Sequence, residues 1–262
     1  MLTQSGINLW RRWNSWLMLL IALTACSIPP DVDEQIRNAN NYFQQADYPQ
    51  VIQILETLVA TDLQSGDVFF NLGNVQYVSG HIGQALLNYR RAQRFMPRDE
   101  ETKLHIIRIR AQRLDGPLVN TYFSDRIVQW LNETLTYQEF VLLAWLLWVL
   151  LWILCLFYVV RRSRRLKLYI VICGIGFLCV VFIGVLWWQF ETVRPAAILT
   201  ADAASVMSGP GKDYMYLYDI HEAIEMRIID QQNGYVRFQL TDGREGWCEE
   251  VLIEYVDQNL QA

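Results

Sequence analysis

FVLLAWLLWVLLWILCLFYVV, Phe140 to Val160, and LYIVICGIGFLCVVFIGVLWWQF, Leu168 to Phe190, are two runs without a charged residue. Between them lies Arg161-Arg162-Ser163-Arg164-Arg165-Leu166-Lys167. At 1.5 Å per residue, a helix of just over 20 residues crosses about 30 Å of hydrocarbon. The runs therefore predict two transmembrane helices, 140–160 and 168–190. Clustered Lys and Arg resist translocation, so the loop 161–167 is expected in the cytoplasm. The chain then enters, turns inside and leaves, and the segments before 140 and after 190 are both expected on the extracytoplasmic side of a cytoplasmic membrane.

The N-terminus points the same way. Arg11 and Arg12 precede an apolar stretch, Trp16 to Ala25, that is too short to span. This is the pattern of a signal peptide over 1–25. Leu23-Thr24-Ala25-Cys26 resembles a bacterial lipobox, which implies a lipidated Cys26. Cys155, Cys173 and Cys179 fall in the apolar runs, which leaves Cys248 without an evident disulfide partner. There is no CxxC, and the three histidines, 81, 105 and 221, are widely spaced, so neither a metal site nor a cofactor is expected. Nine of the ten tryptophans lie in or near the hydrophobic segments. Of these, Trp145, Trp148 and Trp152 share a helix face suited to lipid or helix packing.

Upstream of the membrane, Val32–Ser65 aligns with Gly66–Asp99 at a period of 34 residues. Leu72-Gly73, Gly80, Ala85, Tyr89, Ala92 and Pro97 in the second copy resemble a tetratricopeptide repeat. Small residues at 73 and 85 let two helices cross closely, and Pro97 stops the second helix. The first copy keeps Ala39, Tyr42, Ala46, Tyr48 and Leu55 but lacks the glycine pair and the proline. Glu100 to Leu114 is expected to be a capping helix with Leu104, Ile107 and Leu114 on its apolar side. The repeats with this cap fill 32–115, and 116–139 reads as an interfacial connector.

The resemblance implies a concave groove lined by the first helix of each pair. Its positions here are Ile36, Asn40, Phe43, Phe70, Asn74 and Tyr77, with Arg108 from the capping helix. Asn40, Asn74 and Arg108 are candidates for holding an extended peptide backbone, and Phe43 and Tyr77 for apolar contact. As exposed groups, the asparagines are expected to matter little for stability.

After the membrane, short β segments are expected at Ala196–Leu199, Ala204–Met207, Ala223–Ile229, Tyr235–Gln239 and Gly246–Cys248. Ser208-Gly209-Pro210-Gly211, Asn233-Gly234 and Asp242-Gly243 supply turns. Several short strands in about 60 residues suggest a small all-β barrel over 194–256. Val206-Met207-Ser208-Gly209-Pro210 and Asp242-Gly243-Arg244-Glu245-Gly246-Trp247-Cys248 resemble the motifs of bacterial SH3-like domains, with Met207 where arginine is common. Trp247 is expected in the barrel's core. Residues 191–262 carry thirteen Asp/Glu against five Lys/Arg, which argues against nucleic acid and fits a basic partner.

The sequence carries no Gly-rich phosphate loop, GxSxG or HExxH, and predicts no enzyme. The fold expected is a multidomain membrane protein: an all-α tetratricopeptide repeat, a two-helix transmembrane hairpin and an all-β SH3-like barrel. That order resembles the BatE-like proteins of bacterial aerotolerance operons. The resemblance implies an envelope scaffold beside von Willebrand A domain membrane proteins and a MoxR-type ATPase. The alternative is a cell-wall sensor whose SH3-like domain binds peptidoglycan peptides.

Overall fold

The computed structural model describes residues 30–60, 65–115, 130–131 and 134–257. The signal-like segment, Cys26 and most of the expected connector lie outside the described residues. One compact unit runs through Asp47 and another from Tyr48 onward. Among the described residues the first contributes one helix, α1 (Pro30–Gln44), with Val32 and Ala39 buried.

The second unit begins with four helices: α2 (Tyr48–Ala60), α3 (Gly66–Val78), α4 (Ile82–Phe95) and α5 (Glu100–Gln112). Ser65 caps α3 by accepting from the Val68 N–H, and Asp99 caps α5 by accepting from Thr102. Helices α3 and α4 cross closely because position 73 has no side chain. A Cβ at Gly73 would sit 2.9 Å from the Tyr89 ring. Ala85, Tyr89 and Ala92 are fully buried, and α4 stops two residues before Pro97.

Helix α5 departs from expectation. Its inward face is Thr102, Ile106 and Ile109, while Leu104, Ile107 and Leu114 are 60%, 59% and 81% exposed. Both triplets suit a 3.6-residue period, so spacing could not choose between them. The chosen face lets Ile106 and Ile109 join the core of Leu86, Leu87 and Tyr89.

Two long apolar helices follow, α6 (Tyr137–Arg161) and α7 (Arg164–Val193). Both are long and apolar enough to cross a membrane, with a mean hydropathy of 2.8 over an 18-residue stretch of each. A capping box starts α6: Thr136 accepts from the Glu139 N–H, and Glu139 accepts from the Thr136 N–H. Phe140 packs edge-on against Trp187, and the Cys173 thiol faces the Leu147 carbonyl at 3.7 Å. The start of α6 thus meets the end of α7, and the pair is an antiparallel hairpin. Its exposed turn carries Arg161, Arg162, Arg164, Arg165 and Lys167.

The C-terminal region is a seven-stranded antiparallel sheet in the order β3-β2-β6-β5-β4-β1-β7. The strands are β1 (Ala196–Leu199), β2 (Ala203–Met207), β3 (Tyr216–His221), β4 (Glu225–Gln232), β5 (Tyr235–Leu240), β6 (Glu245–Glu249) and β7 (Ile253–Tyr255). The sheet is open by hydrogen bonding, since β3 and β7 end the order without pairing. Laid flat, its outer strands would stand about 29 Å apart. Yet Ile220 of β3 and Ile253 of β7 share one core with Val206, Met226, Val236, Phe238 and Cys248. The sheet therefore curls around that core. Asn233 and Gly234, both at positive φ, make the tight turn between β4 and β5.

Trp247 is not in this core. Side chains alternate along β6, Gly246 and Cys248 are buried, and Trp247 takes the half-buried outer position. Cys248 fills the inward place instead, fully buried.

Candidate functional site

Helices α4 and α5, upstream of the apolar hairpin, and the sheet downstream of it pack directly together. Ala85, Leu86, Leu87, Ile106 and Ile109 form one cluster with Ile198, Ala223 and Val256. The approach is close enough to require glycine at 83. A Cβ there would sit 2.6 Å from the Leu199 carbonyl oxygen and 2.9 Å from Glu222 Cγ. The freed N–H of Gly83 donates to Glu222 Oε1 at 2.6 Å, which satisfies a first-turn donor of α4 from 139 residues away.

Charge complementarity surrounds this contact. Glu225 lies among three arginines: Arg110 donates through Nε at 2.7 Å and Nη2 at 2.8 Å, Arg90 Nε is 3.2 Å away and Arg113 Nη1 is 3.9 Å away. Burial pushes this carboxyl up, but the facing guanidiniums overcome that and hold it at about 2. Arg91 donates to the carbonyls of Tyr255 at 2.9 Å and Val256 at 3.4 Å. Arg94 pairs with Asp257 at 3.0 Å, and Asp115 accepts from the His221 N–H at 2.8 Å. The basic partner expected for the acidic C-terminal region is thus, along this face, the arginine side of α4 and α5. The sequence signal was present in Arg90-Arg91, Arg94, Arg110 and Arg113, which follow helical spacing. It was missed because the two regions were read as separate modules.

A cavity of about 510 Å³ opens where α2, α3, α4 and β7 meet. Val59, Ala60, Phe69 and Leu72 supply apolar wall, and Glu56, Glu254, Gln76, Gln84, Asn88 and Arg91 supply polar groups. Gln84 donates to Glu254, which is 3.7 Å from Arg91. Asn88 is 1% exposed. Its Nδ2 donates to Gln76 Oε1 at 2.7 Å and to the Gln84 carbonyl at 3.1 Å. Its Oδ1 is buried and meets no donor among the described residues. Burial, and then Glu254, raises the Glu56 carboxyl above its ordinary value.

The groove residues selected from sequence are distributed as follows. Asn40 and Phe43 are exposed on α1, Phe43 by 44%. Asn74 and Tyr77 are half-buried on α3. Asn74 Oδ1 accepts from the Tyr89 hydroxyl at 2.7 Å, and the Tyr77 hydroxyl donates to Gln112 at 3.2 Å. Arg108 is exposed on α5 and lies within electrostatic reach of Tyr89, whose hydroxyl is pushed up chiefly by burial. The surroundings of Tyr89 therefore bring Asn74, Tyr77 and Arg108 together. Asn74 also has structural work as the acceptor for a buried hydroxyl, so its substitution is not neutral for stability. Phe70 packs against Tyr89 and His105, with ring centroids 5.8 and 5.7 Å apart.

No protein-family model matches this chain. Over 83 residues it is 30% identical to the Bacillus subtilis (strain 168) protein described as "Putative N-acetylmuramoyl-L-alanine amidase YrvJ". The match covers 30% of this chain and 16% of that protein's length. It is a likeness to part of a protein whose description concerns the cell wall.

Proposed function

We propose that this chain is a non-enzymatic scaffold of the bacterial cell envelope, anchored by α6 and α7 with its folded body outside the cytoplasm. The observation that carries this reading is the interface between α4–α5 and the sheet. It joins segments before and after an antiparallel apolar hairpin, so both flanks belong on one side of any membrane the hairpin crosses. The five cations at the hairpin's turn favour the opposite, cytoplasmic side for that tip. Cys26 would add a lipid anchor.

On this reading α1–α5 are tetratricopeptide-type repeats with a cap, and the curled sheet is an SH3-like domain. The groove positions Asn40, Phe43, Asn74, Tyr77 and Arg108 would meet a protein partner. By resemblance, the partners are von Willebrand A domain membrane proteins and a MoxR-type ATPase complex serving aerotolerance. Crosslinking in intact cells, followed by purification of the full-length chain, tests this. Recovery of those partners supports it.

The likeness to a protein described as a cell-wall amidase favours a second reading, in which the body binds peptidoglycan peptides. Co-sedimentation of the detergent-extracted full-length chain with purified peptidoglycan, without recovery of protein partners, would favour it. The full chain is needed, because a fragment confined to 191–262 would expose Glu225 and Glu254 without their arginines and Glu222 without the Gly83 N–H.

A further inference from the structure

We propose that the turn between α6 and α7 binds the phosphate groups of anionic phospholipids, whose acyl chains lie along the helix ends beside it. The proposal rests on the reading that the hairpin crosses a membrane. Arg161, Arg162, Arg164, Arg165 and Lys167 are all exposed. Nothing in the hairpin offsets them, because there is no Asp or Glu from Phe140 to Phe190. Glu139 and Glu191 stand at its other end, roughly 35 Å off at 1.5 Å per residue. The first turn of α7 holds no acidic residue, so the positive end of its dipole adds to the same field. Counter-charge for five crowded cations must therefore come from outside the hairpin.

The geometry selects lipid as its source. Only Arg162 and Ser163 separate the two helices, and Arg162 turns the chain at φ 42°. The cations are thus held at the helix ends rather than on a long loop. Immediately behind them Val159, Val160 and Leu168 are exposed. Lys167 Nζ lies 5.6 Å over the Tyr158 ring, which holds the ammonium back against the hairpin at that depth. A phospholipid supplies an anionic phosphate and an apolar chain in one molecule, and so covers both surfaces. Free phosphate or an acidic peptide would cover the cations and leave the apolar side chains bare. Guanidinium suits phosphate in particular, since its planar fork offers two parallel N–H donors. Each cation beside an anionic bilayer surface strengthens association by about fivefold.

The test reconstitutes the full chain into phosphatidylcholine vesicles. Paramagnetic resonance then compares its association with spin-labelled phosphatidylglycerol and with spin-labelled phosphatidylcholine of the same chains. Phosphatidylglycerol should be held about tenfold more strongly or better, and less so as salt rises. Arg164→Gln/Arg165→Gln should lower that preference by about fivefold or more, whereas Arg164→Lys/Arg165→Lys should retain most of it. Both positions are exposed, so each variant should keep the parent's thermal melt, and Arg161, Arg162 and Lys167 remain to hold the turn on its side. Equal association of the two lipids, or an unchanged preference in the Gln variant, would overturn the proposal. A turn that gives up the lipid to glycerol phosphate or to polyglutamate at equal anion concentration binds soluble anions, and the proposal falls. Flotation with the vesicles separates this from the anchoring reading. A chain left behind overturns both, whereas a chain that floats and does not distinguish the lipids overturns the present proposal alone.

Discussion

Replacing Glu225 with Gln removes one anion and leaves Arg90, Arg110 and Arg113 facing each other. The Glu225 side chain is 18% exposed, and its bidentate partner Arg110 is 29% exposed. Removing one member of a largely buried pair is far costlier than losing a surface bridge, because the remaining charges stay desolvated. The displacement of the Glu225 carboxyl from 4.5 to about 2 gives an independent scale. At 1.36 kcal/mol per pKa unit it corresponds to about 3 kcal/mol. For a protein of this size that is a fall in Tm of roughly 6–12 °C. The assay is a thermal melt of the detergent-solubilised chain, completed as a double-mutant cycle with Arg110→Gln. Coupling above about 1.5 kcal/mol is expected. The pH dependence follows from the sign of the shift. A carboxyl lowered by folding contributes fully above its unfolded value of 4.5, and the contribution is lost as pH falls from 4.5 towards 2. Glu225→Gln should flatten stability across that window. A melt unchanged to within 1–2 °C, about 0.5 kcal/mol, would refute the reasoning, as would unaltered acid sensitivity.

Gly83→Val should lower stability by about 1–3 kcal/mol in the same melt, because its side chain would drive α4 from the Leu199 carbonyl. Asn74→Ala should cost about 1–3 kcal/mol by leaving the Tyr89 hydroxyl without its acceptor, and adding Tyr89→Phe should recover part of that loss. Cys248 should resist maleimide at pH 8 in the folded chain and react in denaturant, since burial pushes its thiol up to about 12 and seals it in the sheet's core. Cys26→Ser should abolish incorporation of labelled fatty acid while the protein stays in the membrane fraction, held by the apolar hairpin.

The parts of the fold that depend on strong local patterns were legible in the sequence. Two uncharged runs of just over 20 residues became α6 and α7, and the turn residues Asn233-Gly234 joined β4 to β5 as expected. Strands β3 and β7 were missed. Tyr216–His221 is an edge strand with a largely exposed face, and Ile253–Tyr255 is only three residues long, so neither carries a clear alternation. Trp247 was expected in the core, but alternation along β6 from Gly246 turns it outward and Cys248 inward. The face of α5 was misassigned because Thr102, Ile106 and Ile109 have a helical spacing as good as that of Leu104, Ile107 and Leu114, and Thr102 is polar. Long-range pairing was least legible. Gly83 with Leu199 and Arg110 with Glu225 are each more than 100 residues apart, and no local pattern announces either partner.

Sidedness of the two flanks tests the central claim most directly. Glu101→Cys on α5, Lys212→Cys beyond β2 and Ser163→Cys in the cationic turn place thiols at exposed positions on the three parts of the chain. Each variant is expressed in a background lacking reactive native thiols and labelled in cells whose envelope admits a charged maleimide as far as the cytoplasmic membrane. Positions 101 and 212 should label equally in intact cells, and position 163 only after that membrane is permeabilised. Labelling of 101 and 212 from opposite sides would contradict the account, because the helices and the sheet could not then meet.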